Sequence, residues 1–287
     1  MERHNIAMDR PLGDRQPSGP PQPCHGLRVL DFARGPVAMT AMILADYGAD
    51  VVRVEEGRDD AFDRMPAYRQ WNRGKRALIA DLRDAGSLDT VRSMAAECDV
   101  VVENFRPGVA DRLGVGYEDL SAGNAGLVYL SVTGFGPTGK YAHYKAYEGI
   151  VAAKCGQHVI QNGYRSDGPI YDAVFKSSFG ASMLGVIGVL AALHAREVHG
   201  IGQHVHTSMV QGTAVYSYDG LRASDATTTA KMSLVQGRDP HNVAPGYRIA
   251  QCADGQWIQS GSFGPGIFEN LMRGLGIEEY FTEPRFA

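Results

Sequence analysis

LRVLDFARGPVAMTAMILADYGADVVRVE, from Leu27 to Glu55, decides the fold. LRVLDF (Leu27–Phe32) is a short β-rich run. Gly35-Pro36 breaks the chain, and proline suits the first position of a helix. A helix is predicted from there to about Tyr47, with Gly48 as its C-terminal cap. DVVRVE (Asp50–Glu55) is the next strand. Strand, helix and strand joined by short connections predict parallel pairing and a right-handed crossover.

The alternation continues on the C-terminal side. ALIADL (Ala77–Leu82) reads as a strand, Gly86–Glu97 as a helix, DVVVEN (Asp99–Asn104) as a strand and Val109–Leu113 as a helical turn. Leu127–Thr133 is strand-like and leads into a glycine-rich loop, Thr133–Ala142. The expected fold class is α/β, a doubly wound, mostly parallel sheet in a large domain with a smaller α+β domain. The second half is less regular. Ala146–Cys155 and Ser178–His199 read as helices. Gly180, Ala181, Gly185 and Gly188 line one side of the latter, for tight helix packing or close approach of a ligand. His204–Met209 reads as a strand running into a helix through Tyr218, and the polar stretch Ser224–Pro240 as a mobile loop. Gly246–Gly261 reads as a hairpin turning at Asp254-Gly255, and Phe268–Leu275 as a final helix. The expected organisation is a disordered, proline-rich leader over 1–26, a large Rossmann-like domain over 27–220 and a small domain over 221–287.

Composition narrows the function. The chain has 287 residues, 44% hydrophobic and 21% charged, as in ordinary globular proteins. A net charge of −4 gives no general attraction to nucleic acid, so an anionic ligand needs a local cationic cluster. The longest apolar run, Met183–Leu193, falls short of the roughly 20 residues that span a bilayer, so no membrane partner is expected. Cys24, Cys98, Cys155 and Cys252 are scattered with no CxxC pair, which fits reduced thiols in a cytoplasmic protein. His204 and His206 alternate on one strand face without a third ligand, so no metal site is expected.

Three segments place cations or amides beside strand ends: GPVAMTAMILADYGADVVRVE (Gly35–Glu55), QWNRGKRALIADL (Gln70–Leu82) and VVVENFRPG (Val100–Gly108). Ligands collect at the carboxyl edge of open α/β sheets. The pattern suggests a pocket for a phosphate-bearing acyl carrier.

Together with Asp111-Arg112-Leu113-Gly114, SVTGFGPTG (Ser131–Gly139), KAYE (Lys145–Glu148) and GVLAALHAREVHGIGQHV (Gly188–Val205), these segments resemble the family III CoA-transferases from Leu27 to Ala287. The resemblance implies interlocked homodimers. It also implies an enzyme that moves CoA between an acyl-CoA and a carboxylic acid through an enzyme-bound carboxyl intermediate. CoA then enters as a substrate, and no permanently bound cofactor is expected. By matching position, Ala33 and Arg34 border the CoA entrance and Ala80–Arg83 lie along the adenosine. Asn104, Phe105 and Arg106 contact nucleotide or pantetheine, and Arg112 binds phosphate. Lys145, Tyr147 and Glu148 line the acyl end. Lys75 and Arg76 add positive field. Arginine grips such groups bidentately and lysine as a point charge. Many relatives carry a cation where this chain has Glu56, and Arg58 is its candidate substitute. Family chains run beyond the segment that closes this sequence, so the small domain reads as shortened.

The transferase mechanism implied by the resemblance needs a nucleophilic aspartate near the start of the long helix. Counting back from Gly188–Leu193 puts that position at Ser178, and the nearest acid is Asp172. Three readings stay open: an insertion returns Asp172 to the site, Ser178 holds the position, or Asp172 is a loop acid. The family's racemase branch uses a histidine and an aspartate, at positions that read Tyr147 and Ser178 here. Glu148 is the other acid at the acyl end, as a base or to orient an acceptor. The catalytic candidates are therefore Asp172 and Glu148. The alternatives to transfer are an acyl-CoA racemase or isomerase with a changed acid–base set, and a non-catalytic CoA-binding subunit. Ser260–Gly266 is a candidate lid.

Overall fold

The computed structural model describes residues 22–57, 61–160, 171–216, 249–259, 261, 266–279 and 283. The readings of Arg58 and of the Ser224–Pro240 loop lie outside them, as do residues 1–21 of the expected leader and most of the lid. The last residues of that leader, 22–26, are described, and Cys24 is buried in the core with its N–H bound to the Tyr47 carbonyl at 2.9 Å.

Leu27–Glu55 folds as its sequence dictates. β1 (Arg28–Asp31) leads through a 3-10 turn (Gly35–Ala38), with proline in its first positions, into α1 (Met39–Asp46). Gly48 takes a φ of +99°, and β2 (Asp50–Glu55) pairs with β1 in parallel, Val29 beside Val51. After α2 (Tyr68–Trp71), β3 (Arg76–Ile79) extends that side of the sheet. It is shorter than expected because the chain leaves the sheet at Ala80.

α3 (Ala85–Ala96) is capped by Asp84, which accepts the Ser87 N–H at 2.8 Å. β4 (Val100–Glu103) then crosses to the other flank of β1. α4 (Val109–Arg112), α5 (Tyr117–Ser121) and β5 (Val128–Thr133) follow, then α6 (Glu148–Lys154) and α7 (Gln157–Ile160). α8 (Lys176–His199) leads to β6 (His204–Ser208) and α9 (Met209–Tyr216). The six strands are all parallel, in the order β3-β2-β1-β4-β5-β6. This is a doubly wound sheet whose winding reverses between β1 and β4, and its ligand crevice belongs outside their carboxyl ends.

The central strands β2, β1, β4 and β5 are buried on both faces, so they read as near-continuous valine runs rather than alternating patterns. On one face Val29, Val51, Val100, Val102 and Leu130 pack with α1 and α8. On the other, Leu30, Val52, Val101 and Tyr129 pack with Val91 and Ala95 of α3 and with Leu120 of α5. The small residues of α8 serve helix packing. A Cβ on Gly180 would run into the carbonyl of Gly212 on α9, one on Gly188 would lie 2.7 Å from Val205, and one on Gly185 2.9 Å from Leu130.

At 24 residues, α8 is long and apolar enough by composition to cross a membrane, which corrects the eleven-residue reading. Half of its most apolar window is buried within the fold.

By internal contacts the chain divides into two units, 1–155 with 172–218, and 156–171 with 219–287. In the second unit, β7 (Ile249–Gln251) and β8 (Trp257–Gln259) form an antiparallel hairpin that turns at Gly255, φ +83°. α10 (Ile267–Gly274) follows.

Candidate active site

The crevice predicted by topology is stitched across its mouth. The Asn104 side chain accepts the Arg34 backbone N–H and donates to the Arg34 carbonyl, both at 2.9 Å. The tips of β1 and β4 are thereby fixed to one another. Ala33 is buried behind this contact, its N–H bound to Asp31 Oδ1 at 2.9 Å.

The cations of the strand-tip motifs separate into two kinds. Lys75 is enclosed, with 1% of its side chain exposed. Its Nζ donates to Asp31 Oδ2 at 2.7 Å, the Ala38 carbonyl at 2.6 Å and Asn72 Oδ1 at 3.3 Å. Those bonds use all three of its donors. Burial holds its pKa below the usual lysine range, against the pull of Asp31. Arg76 starts β3 and forks onto Asp50, which starts β2, at 3.1 and 2.6 Å. Both residues sit at the amino ends of parallel strands, away from the carboxyl edge. The sequence reading of Lys75 and Arg76 as added field at the pocket is therefore corrected: both are spent on internal pairs.

Arg34 and Arg83 do meet. Their guanidinium groups lie 3.8 and 3.5 Å from the same Glu56 carboxylate oxygen. The acid that departed from the family pattern thus sits between two cations at the β1–β2 end of the edge. Arg106, Arg112 and Lys145 are exposed, and among the described residues none has a side-chain hydrogen bond or ion pair. Gly108, at φ +75°, starts α4, and a Cβ there would lie 3.6 Å from Arg112 Nη1, so the Arg112 guanidinium folds back over the turn. The Phe105 ring packs 6.1 Å from Phe32.

Tyr147 and Glu148, expected at the acyl end, lie where α6 meets α8. Tyr147, 56% exposed, is the N-cap of α6, and Glu148 is its first residue. The Glu148 carboxylate reaches across to the first turn of α8. Oε1 accepts the Ser177 N–H at 2.7 Å. Oε2 accepts the Ser178 N–H at 2.9 Å and the Ser178 hydroxyl at 2.7 Å. The residue before α8, Phe175, offers no side-chain cap, so an acid from another helix caps it. Asp172 is engaged elsewhere: Oδ1 accepts the Val174 N–H at 3.0 Å, and the carboxylate is ion-paired with Lys176. Sequence reasoning placed Glu148 at the acyl end but missed its bond to Ser178. The spacing of acids along one chain carries no signal for a cap donated by another helix.

A doubly wound parallel sheet, with the exposed Arg106 in the turn after β4 and the Glu148 carboxylate on the first turn of α8, defines the class: an α/β protein. The family model for CoA-transferase family III matches residues 24–287, and the chain belongs to that family. It is 34% identical to the acetyl-CoA:oxalate CoA-transferase of Acetobacter aceti, over 96% of this chain and 72% of that protein. It is 31% identical to the α-methylacyl-CoA racemase of Mus musculus, over 88% of this chain and 65% of that one. The crystal structure of Rv3272 from Mycobacterium tuberculosis matches with a TM-score of 0.77 at 26% identity, over 94% of this chain and 72% of that one. A CAIB/BAIF family protein from Brucella suis matches at 0.71 and 30% identity, over 93% and 73%.

Proposed function

We propose that this chain transfers CoA from an acyl-CoA to a carboxylic acid, with Glu148 as the carboxylate that carries the intermediate. The observation behind this choice is the bonding of Glu148 to Ser178, the residue on which counting back from Gly188–Leu193 puts the family's aspartate. An acid carboxylate is present there, supplied by α6 in place of α8. Three donors hold it, and one of its roughly four lone-pair positions is left over.

A Glu148 oxygen attacks the thioester carbonyl, the C–S bond breaks, and CoA leaves as thiolate. The thiolate attacks the glutamyl carbonyl of the mixed anhydride and releases the donor acid. The acceptor carboxylate attacks the glutamyl thioester, and the thiolate then attacks the acceptor carbonyl. The new acyl-CoA departs and Glu148 is regenerated. CoA lies along the carboxyl edge, with Arg106 and Arg112 on its phosphates, Arg34 and Arg83 at the β1–β2 end, Phe105 along the nucleotide, and Lys145 and Tyr147 near the thioester. In this reading Asp172 shapes the turn before α8.

Turnover with an acyl-CoA in the presence of hydroxylamine, followed by peptide mapping, tests the assignment. A hydroxamate on Glu148, and loss of labelled-CoA exchange in Glu148→Gln but not in Asp172→Asn, is expected. Label on Asp172, or exchange that survives Glu148→Gln, defeats the assignment.

A homodimer is the expected assembly, supported by the exposed apolar side chains Met183, Ile187, Leu190 and Val198 along α8. Light scattering after size exclusion decides it. Free thiols at all four cysteines support a reducing, cytoplasmic setting.

A further inference from the structure

The turn that presents Phe105 and Arg106 rests on a buried acid that the mechanism does not use. Glu103, the last residue of β4, is 5% exposed. Its Oε2 accepts the Phe105 N–H at 2.6 Å. Ser131 of β5 lies beside Glu103 in the sheet register, and its side chain lowers the Glu103 pKa against the rise that burial causes. Ser131 Oγ lies 2.9 Å from His204 Nε2 on β6, the edge strand. His204 stacks on Tyr117 with ring centres 4.7 Å apart. It also meets Tyr129 edge-on at 5.1 Å and His206 at 3.9 Å, and His206 is exposed. The titratable or charged groups around Glu103 are therefore Asp111 of α4, Tyr117 of α5, Tyr129 of β5, and His204 with His206 of β6.

We propose that Glu103 is a positioning residue for the CoA-binding turn, linked through Ser131 and His204 to the exposed edge strand. The proposal rests on the reading that the turn after β4 holds CoA.

The chemistry is that of a chain with two hydrogen-bond directions. A serine hydroxyl donates once and accepts as well. With Glu103 ionised, Ser131 donates to the carboxylate and accepts from a His204 Nε2–H. With Glu103 protonated, the acid donates to Ser131, and Ser131 donates to an unprotonated Nε2. Only the first state gives the Phe105 N–H a charged acceptor, and charge-assisted bonds are roughly twice as strong. The turn is therefore held more firmly when Glu103 is ionised. Burial raises Glu103 to about 7, so both states are populated near neutrality, whereas His204 is pushed down to about 4 and stays neutral there.

The test is the affinity for dephospho-CoA, which lacks the 3′-phosphate that titrates near neutrality, measured by calorimetry. Wild type is expected to bind about threefold or more tightly at about pH 8 than at about pH 6, a window that spans the Glu103 titration. Glu103→Gln, which keeps an acceptor for Phe105 and a donor for Ser131, is expected to fold normally and to bind with a flat profile. Ser131→Ala removes a bond that favours the ionised acid, so its transition moves to higher pH. A flat wild-type profile, or a Glu103→Gln profile that matches the wild type, overturns the proposal. Arg106→Ala separates the two readings. If it loses affinity while the Glu103 variants bind like wild type, the CoA site stands and Glu103 has no positioning role. If wild type binds no dephospho-CoA at either pH, both readings fall.

Discussion

Lys75 and Arg106 look alike in sequence, each a cation in a strand-tip motif, yet they face opposite environments. Lys75 is drawn inward because Asp31, buried at the end of β1, has to be neutralised. Arg106 has no such acid within reach and stays in solvent. One-dimensional spacing records the cation but not the acid that claims it, as with Lys75 and Asp31 or Arg76 and Asp50. The free guanidinium groups carry the binding expectation: Arg112→Ala should weaken CoA binding by about 1.5–3 kcal/mol, the range for hydrogen bonds to charged groups. Isothermal titration of CoA measures it, and an unchanged affinity removes Arg112 from the site. Glu103 gives a stability expectation. Its pKa of about 7 in the folded chain lies above the 4.5 of an ordinary glutamate. Between those values the folded state holds a proton that the unfolded state has released. Wild-type stability should therefore fall as pH rises through that window and level off above it, by roughly 3 kcal/mol relative to Glu103→Gln. Urea melts of both proteins across the window measure the difference; parallel curves would contradict it.

At the scale of elements the long strands and helices were legible because their signals are local. Gly35-Pro36, Gly48 and the valine runs fix β1, α1 and β2 without reference to the rest of the chain. α2 and α5, at four and five residues, were missed because one turn of helix has too little periodicity to register. The glycines of α8 were visible, but their purpose was not. That became clear only once Gly180 was found against Gly212 of α9. Gly212→Ala should therefore destabilise the fold by about 1–3 kcal/mol, as overpacking does. Gly274→Ala in α10, where a Cβ meets nothing within 4 Å, should be neutral or slightly stabilising. Melting temperatures of the two variants decide between packing and a general intolerance of side chains. Equal losses would contradict the helix contact.

For the whole molecule, strand order settles what motif reading could only suggest. Alternating strands and helices were enough to expect a parallel sheet. They did not say that β4 would leave the β1–β3 side and settle on the far flank of β1, and that placement is what makes the crevice. The same placement has a kinetic side. β1 and β2 come together across a single helix, whereas the Arg28 N–H reaches Asp99 over 71 residues, and the Asn104 contact to Arg34 spans 70. Pairings between distant parts of a chain are slow to find. During refolding, helical circular dichroism should return before the capacity to bind CoA, because the binding groove does not exist until the latest loop has closed. Simultaneous recovery of the two signals in stopped flow would show that β1 and β4 meet early.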